Sequence, residues 1–564
     1  MMKIKIDGME VVAREGETIL DVATREKIYI PTLCYLKKVG ATTNCRMCLV
    51  EVKGARGLVT ACNYQVFDGM EVVTASSEIN KQRKTNLELL LSNHNYNCAS
   101  CVREGACELK RLVDIYDADP NKFKGEKYEG DIDNSSFSIV RDNSKCILCK
   151  KCVQVCSKIQ AVDAIKETKR GFKTEIACAF NKGLGESSCV GCGQCVQVCP
   201  TGALSVASEI EKVEAILDDD NLIKIVAPAP AVRTVLGEFN SVPVGAFGEA
   251  MLPSVLRAVG FEKVFDINFG ADLTIVEEAE EFLERYDCNN NMPMFTSCCP
   301  GWVSYVKKFH PDMVKNLSTC KSPMMMLGAV VKSYYAKLIG VNPEKIAFVV
   351  VMPCTAKKSE ATKLNKDGFR DVDAVLTIAE LEKLIRKRGV DLKNIEPSKF
   401  DSILGESTGA SIIFGASGGV MEATLRTLNY YVTGTSDLVE INEVRGLEAV
   451  KLLKTRIGDR DFSVAVVSGL SEAGKLIEEI KAGKVKVDFV EVMACPGGCV
   501  NGGGMPIKSS IVQNYTRVVE PRAEVVYKLD NKRKSRKSHE NAEIKAFYDW
   551  NKINGATLLH TRHE

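Results

Sequence analysis

The sequence predicts a multidomain protein that joins α+β units to an α/β unit. Three observations carry this. The chain has 564 residues, too many for one core, because a domain holds about 100–200 residues and about three to five are therefore expected. Fifteen of its 23 cysteines form ordered sets before residue 200. Beyond residue 209 apolar strand-like runs alternate with helical ones, the pattern of an α/β layer arrangement.

The first 75 residues read as β-rich. Lys3-Ile4-Lys5-Ile6 alternates with period two, Asp7-Gly8 is a hairpin turn, and Glu10 to Ala13 resumes extended. Thr18 to Glu26 reads as a short helix, and residues 79–118 read as helical from Leu87, Leu90, Leu91, Leu109, Leu112 and Val113. The polar stretch 119–137 sets a boundary near 125. Residues 138–208 repeat one small unit, since CILCKKCVQVC and CVGCGQCVQVCP share spacing and the tripeptide Val-Gln-Val. Leu222 to Ala227, Lys345 to Met352, Phe462 to Val467 and Val487 to Met493 are predicted buried strands, with helices over 273–286 and 375–389. The basic run Lys532 to His539 reads as a solvated face before a helical tail.

A net charge of +2 gives no argument for nucleic acid or for a membrane surface. The first residues lack an apolar signal region, and the run Ile346 to Met352 is far shorter than the ~20 residues of a spanning helix. A cytoplasmic location is expected, and cysteine sets there bind metal or catalyse more often than they form disulfides.

Cys146, Cys149, Cys152, Cys156 and Cys189, Cys192, Cys195, Cys199 both follow Cys-x2-Cys-x2-Cys-x3-Cys. Three closely spaced thiolates grip one cubane, and the fourth reaches the other cluster. That pairs Cys199 with the first three and Cys156 with the second three. Ser157 stands where the first run would carry the proline seen at Pro200. Cys34, Cys45, Cys48 and Cys62 suit a 2Fe-2S cluster, though the first gap departs from the plant type and zinc chemistry also fits. His94, Cys98, Cys101 and Cys107 suit zinc or a 4Fe-4S cluster. A run of sites favours iron, because an inert ion does not carry electrons.

Of the eight remaining cysteines, Cys178, Cys288 and Cys320 read as bystanders. The others sit in dense motifs: Thr296-Ser-Cys298-Cys299-Pro-Gly-Trp302, Met352-Pro-Cys354-Thr-Ala-Lys357-Lys-Ser-Glu360, and Glu491-Val-Met493-Ala-Cys495-Pro-Gly-Gly-Cys499-Val-Asn-Gly-Gly-Gly504. These motifs resemble those of the iron–iron hydrogenases, and the resemblance spans nearly the whole chain. The front half is similar to the four accessory cluster sites of clostridial-type monomeric enzymes. The tail, from Arg536-Lys-Ser-His539-Glu-Asn541 to Leu558-Leu-His560, resembles the family's small-subunit-like segment.

The resemblance implies five units: a β-grasp ferredoxin-like domain (1–78), a cluster domain with one histidine and three cysteine ligands (79–125), a two-cluster bacterial ferredoxin-like domain (126–208), an α/β H-cluster catalytic domain (209–520) and the tail (521–564). It implies one 2Fe-2S cluster, three accessory 4Fe-4S clusters, and an H-cluster in which Cys299, Cys354, Cys495 and Cys499 hold a cubane. Cys499 would bridge it to a di-iron subsite with CO, cyanide and azadithiolate. Cys298, a free thiol with an ordinary pKa of ~8.5 near neutrality, becomes the terminal proton donor. Glu278, Ser318, Glu281 and Arg285 become its relay to solvent, whose carboxylates should be desolvated with raised pKa. By residue spacing alone, Glu278, Glu281 and Arg285 share one helix face. Lys357 would hold a cyanide ligand, Met352 and Met493 would pack on the subsite, and Pro230 and Ala231 would present backbone to it. Ala231, Met324, Met325 and Pro496 depart from the relatives.

The implied reaction is reversible reduction of protons to hydrogen with electrons from ferredoxin or flavodoxin, after loading by hydrogenase maturation proteins. Alternatives are the catalytic subunit of an NADH-linked bifurcating complex, a complex-I-like electron-transfer subunit, and an iron–sulfur assembly factor or hydrogen sensor. The complex-I-like reading fits badly with the Cys298-Cys299 and Cys495/Cys499 motifs. Gly469 to Lys475 is nearly a phosphate-binding loop, but Leu476 replaces the hydroxyl that magnesium needs.

Overall fold

The computed structural model describes the chain apart from residues 126, 129, 241–243, 246–248, 436, 439, 508, 510–517, 555–557 and 564. The N-terminal hairpin forms as its alternation requires. Met2–Ile6 pairs antiparallel with Met9–Ala13 and parallel with Glu71–Val73, and Leu49–Val52 and Val59–Thr60 complete a five-stranded sheet. Ile19–Arg25 packs on it, its N-terminus closed by a capping box between Thr18 and Asp21. The helical expectation over 79–118 resolves into Ser77–Leu91 and Glu108–Tyr116. Residues 92–107 between them are loop, because there the backbone serves the His94, Cys98 and Cys101 side chains.

The repeat at 138–208 is two short helices, Lys151–Gln154 and Gln194–Val198. They are flanked by two antiparallel strand pairs: Ile139–Arg141 with Leu204–Val206, and Lys166–Thr168 with Glu175–Ala177.

Two four-stranded sheets build the largest unit. In one, Lys263–Val264, Ile223–Pro228, Ile346–Met352 and Ala374–Thr377 run parallel. In the other, Met294–Phe295, Phe489–Met493 and Arg460–Ser468 run parallel and Val450–Ile457 closes the edge antiparallel. Ile346–Met352 is buried along its whole length, as a strand covered on both faces must be. The expected helix over 375–389 starts later, at Ile378, because Ala374–Thr377 is the edge strand and Thr377 caps the helix.

Ile267–Cys288 is the long helix behind the site. It lies so close to Pro323–Val330 that a Cβ on Gly270 would sit 2.2 Å from the Pro323 carbonyl oxygen. The basic run 532–539 corrects the solvated-face expectation. Arg536 bonds Asp530 and Glu440, Ser538 is buried, and His539 stacks on Tyr430 at 4.3 Å. Buried Arg426 reaches Glu422 (2.6 Å) and Asp530 (2.9 Å), and Asp272 accepts from Thr408, Ser538 and Asn541. This network seats the tail against the helices that carry Asp272 and Arg426. Among the described residues no helix is long and apolar enough to cross a membrane.

Candidate active site and cluster chain

Each predicted ligand loop leaves the carboxyl end of a parallel strand, where α/β sheets place their ligands. Thr296 to Cys299 follows Met294–Phe295, Cys354 follows Ile346–Met352, Cys495 follows Phe489–Met493, and Pro230-Ala231 follows Ile223–Pro228. The two sheets thus deliver Cys299, Cys354, Cys495 and Cys499 to one point. Cys354, Cys299, Cys192 and Cys499 are the close thiol neighbours of Cys495. Burial and then Cys299 push the Cys354 thiol up to about 12. Four desolvated thiols facing one another are costly as thiolates without a cation among them, and no disulfide joins them. That donor set fits an iron–sulfur cubane.

Beside these thiols lies a cavity of about 80 Å³ whose walls include Ala231, Met324, Met352, Met493, Cys298, Lys357 and Cys499. Its wall is apolar apart from the thiols and Lys357, which suits an apolar-shelled metal group approached by one cation. Lys357 Nζ donates to Glu360 Oε2 (2.6 Å) and to the Cys298 carbonyl (3.1 Å). Glu360 is a partner that sequence reasoning missed, although its i,i+3 spacing from Lys357 is a helix-pair signal. Ala231 offers no polar side chain, and Met324 lines the wall as a thioether.

The proposed relay residues are brought together in order. Cys298 is charge-coupled to Glu278, and burial followed by Glu278 holds its thiol well above the ordinary value. This corrects the near-neutral expectation: the site is too dry for a thiolate, so Cys298 keeps its proton. Glu278 is 1% exposed. Burial, then the nearby Glu281 charge, raises its pKa to about 8, with weaker opposing contacts from the Ser318 hydroxyl and the Ser297 N–H. Ser318 lies beside it and donates to Glu281 Oε2 (2.7 Å). Arg285 donates to Glu281 Oε1 (2.5 Å) and to the Leu317 carbonyl (2.9 Å). Glu281 departs from the raised-pKa expectation. Burial pushes it up, but Arg285, the Thr319 N–H and the Ser318 hydroxyl outweigh that and hold it below the usual value. Cys320 is packed in the core as expected, and its thiol also lies 3.5 Å from Glu281 Oε2.

The accessory sites follow the same logic. Cys199 is a close thiol neighbour of Cys146 and Cys152, while Cys156 neighbours Cys192 and Cys195, the crossed pairing the spacing implies. Cys34 faces Cys45, and Cys48 faces Cys62. His94, Cys98, Cys101 and Cys107 line one cavity of about 370 Å³. Burial, then Lys127, lowers His94 to about 4, so its ring is neutral as a ligand must be. Its Nδ1 is buried with no partner among the described residues.

The sites also touch in series. Cys192 is a close thiol neighbour of Cys354, and Thr355 Oγ1 donates to the Gly191 carbonyl (2.6 Å). Gln194 and Gln197 bond the carbonyls of Asn501, Gly503 and Met505. At the other end two sites converge on the first cubane set. Cys34 is charge-coupled to Cys149, with Thr42 Oγ1 bonded to both backbones. Cys107 approaches the Pro200 carbonyl (3.8 Å), and Arg103 donates to the Cys199 carbonyl.

This arrangement, a series of cysteine sets ending beside a buried cavity, is that of an iron–sulfur oxidoreductase. Five family descriptions match along the chain: a 2Fe-2S iron-sulfur cluster binding domain (residues 1–77), an NADH-ubiquinone oxidoreductase-G iron-sulfur binding region (83–121), a 4Fe-4S dicluster domain (145–203), the C-terminal domain of the iron only hydrogenase large subunit (223–503) and an iron hydrogenase small subunit (516–564). Iron hydrogenase 1 of Clostridium pasteurianum is 40% identical over 97% of this chain and 96% of its own. The NADP-reducing hydrogenase subunit HndD of Solidesulfovibrio fructosivorans is 42% identical over 100% of this chain and 98% of its own. The structure of apo [FeFe]-hydrogenase HydA1 from Chlamydomonas reinhardtii matches with a TM-score of 0.56 at 36% identity, covering 63% of this chain and 98% of that one. The chain belongs to the iron–iron hydrogenase family, and its function is the interconversion of protons and molecular hydrogen with iron–sulfur clusters.

Proposed function

We propose that the chain is a ferredoxin- or flavodoxin-linked hydrogenase running 2H⁺ + 2e⁻ ⇌ H₂ with four accessory clusters. In this reading Cys34, Cys45, Cys48 and Cys62 on a β-grasp unit hold 2Fe-2S. His94, Cys98, Cys101 and Cys107 hold one 4Fe-4S cluster, and the crossed sets of a bacterial ferredoxin-like unit hold two more. Cys299, Cys354, Cys495 and Cys499 hold the H-cluster, whose di-iron subsite supplies the redox chemistry when bound. In this reading the units divide near residues 78, 125, 208 and 520. The observation that supports the reading best is the continuous series from Cys298, which lines the cavity that Lys357 faces, through Glu278 and Ser318 to Glu281 on the outer side.

The side chains then divide the work. Cys298 holds a proton at the cavity because burial forbids its thiolate. Glu278 exchanges that proton near neutrality, where a carboxyl with pKa about 8 is both donor and acceptor. Ser318 turns between the two carboxylates, passing one proton as it accepts another. Glu281, kept ionised by Arg285, draws protons in from the solvent side. Lys357, oriented by Glu360, presents an ammonium to anionic diatomic ligands, and Met352, Met493 and Ala231 exclude water around them.

A second reading, the catalytic subunit of a nicotinamide-linked complex, is supported by the similarity to the NADP-reducing hydrogenase subunit of Solidesulfovibrio fructosivorans. Hydrogen evolution by the matured protein decides between them. Activity with reduced ferredoxin alone supports the first, whereas activity that requires NADH or NADPH with added partner subunits supports the second.

A further inference from the structure

Arg285 closes the outer end of the proton series, yet a guanidinium keeps its proton at every ordinary pH. It can orient Glu281 but cannot hand it a proton. A titratable imidazole, that of His560, has a ring nitrogen within 4.8 Å of a Glu281 carboxylate oxygen, and the C-terminal segment brings it in. The strand-like bridge Cys320↔His560 fixes it there, together with the Lys321 N–H on the Leu559 carbonyl (2.8 Å) and the Thr561 N–H on the Thr319 carbonyl (2.7 Å).

The ring is bonded on both sides. Nδ1 shares a proton with Thr319 Oγ1 (2.8 Å), and the Thr319 N–H donates to Glu281 (3.0 Å). Nε2 meets Glu277 Oε2 (2.9 Å). Side-chain exposures of 37% for His560 and 14% for Glu277 put both in reach of water. A cavity of about 490 Å³, lined in part by Cys320, Lys321, His560 and His563, opens beside them.

We propose that His560 is the proton-entry residue of the relay, taking a proton at Nε2 from the Glu277 side and releasing one from Nδ1 toward Glu281. The proposal rests on the relay reading given above. Each passage moves one proton in and one out, with no electron transferred. The gap from ring to carboxylate is that of one bridging water or a turn of the Thr319 hydroxyl. Glu277, Glu280, Glu281 and Glu284 face the ring from the long helix, Tyr548 from the helix before it, Cys320 and Lys321 from the loop after Ser318, and Arg562 and His563 flank it on its own segment. The hydrogen bond to Glu277 raises the imidazole's proton affinity above its usual value, so the ring is charged over part of the neutral range.

The test uses matured holoenzyme carrying His560→Ala or His560→Asn; the asparagine can still bond Thr319 and Glu277 but cannot titrate. Hydrogen evolution from reduced methyl viologen should fall about ten-fold or more in both. The fall should be greatest on the alkaline side, and added imidazole should restore much of the rate of His560→Ala. The infrared bands of the loaded cofactor should stay in place, and an imidazole ring band in the oxidised-minus-reduced difference spectrum should disappear. An unchanged rate and pH profile would overturn the proposal. So would a loss that imidazole does not repair and that leaves the profile's shape intact, which marks a structural role. Glu281→Gln separates the two layers: wild-type turnover there defeats the relay itself, while its loss alongside wild-type behaviour of the His560 variants defeats only the entry role.

Discussion

Replacing Glu278 by glutamine should stabilise the protein while stopping it. The carboxyl is 1% exposed and its pKa stands at about 8 against an ordinary 4.5. Below pH 4.5 it is protonated in both folded and unfolded chains and favours neither. Between pH 4.5 and 8 the unfolded chain releases the proton and the folded one retains it. Folded stability therefore falls by about 1.4 kcal/mol per pH unit across that window, and the loss is complete above it. The penalty is about 3 kcal/mol at pH 7 and about 5 kcal/mol at pH 9. Glutamine, neutral throughout, escapes it. Calorimetric melting of wild type and Glu278→Gln at pH 5, 7 and 9 should show nearly matched midpoints at the lowest pH and a widening advantage for the variant above it. The same variant should lose at least about a hundred-fold in hydrogen evolution, the scale of general acid–base catalysis. A melting difference that does not grow with pH would refute the buried, proton-holding carboxyl. Wild-type turnover would remove Glu278 from the relay.

Cys298→Ala should nearly abolish turnover while the infrared spectrum of the bound cofactor persists, and near-normal rates would reject the proton-donor role. Cys199→Ser should weaken the cubane of Cys146, Cys149 and Cys152 and spare that of Cys189, Cys192 and Cys195; electron paramagnetic resonance of the reduced protein reads which signal changes. Glu360→Ala should leave the Lys357 ammonium buried and unpaired, costing about 3–5 kcal/mol, visible as a lower melting midpoint and a shift of the cofactor's cyanide bands.

The cysteine groupings were legible because close spacing is a local property of sequence, and the structure sets Cys199 near Cys146 and Cys152 and Cys156 near Cys192 and Cys195. Strands of the catalytic unit were legible where burial on both faces left continuous apolar runs, as in Ile346–Met352. Partners that arrive from afar were not. Cys320 reads as packing, and only the fold sets it against Glu281 as well, 39 residues away in sequence. His560 and Asp272 gain their roles only when the tail docks. The shift at Glu281 was misjudged because desolvation is visible in an apolar pattern, whereas the cancelling contacts from Arg285, Ser318 and Thr319 are tertiary.

In the function proposed above, the convergence of the Cys34 and His94 sets on the set of Cys146, Cys149 and Cys152 has a consequence for timing. A hydrogen molecule needs two electrons, and a one-electron carrier brings them singly. With a single inlet, a spent carrier has to leave before the second electron can arrive. Two inlets meeting at one junction let two carriers dock together, so both electrons of a turnover can be queued inside the protein before either carrier departs.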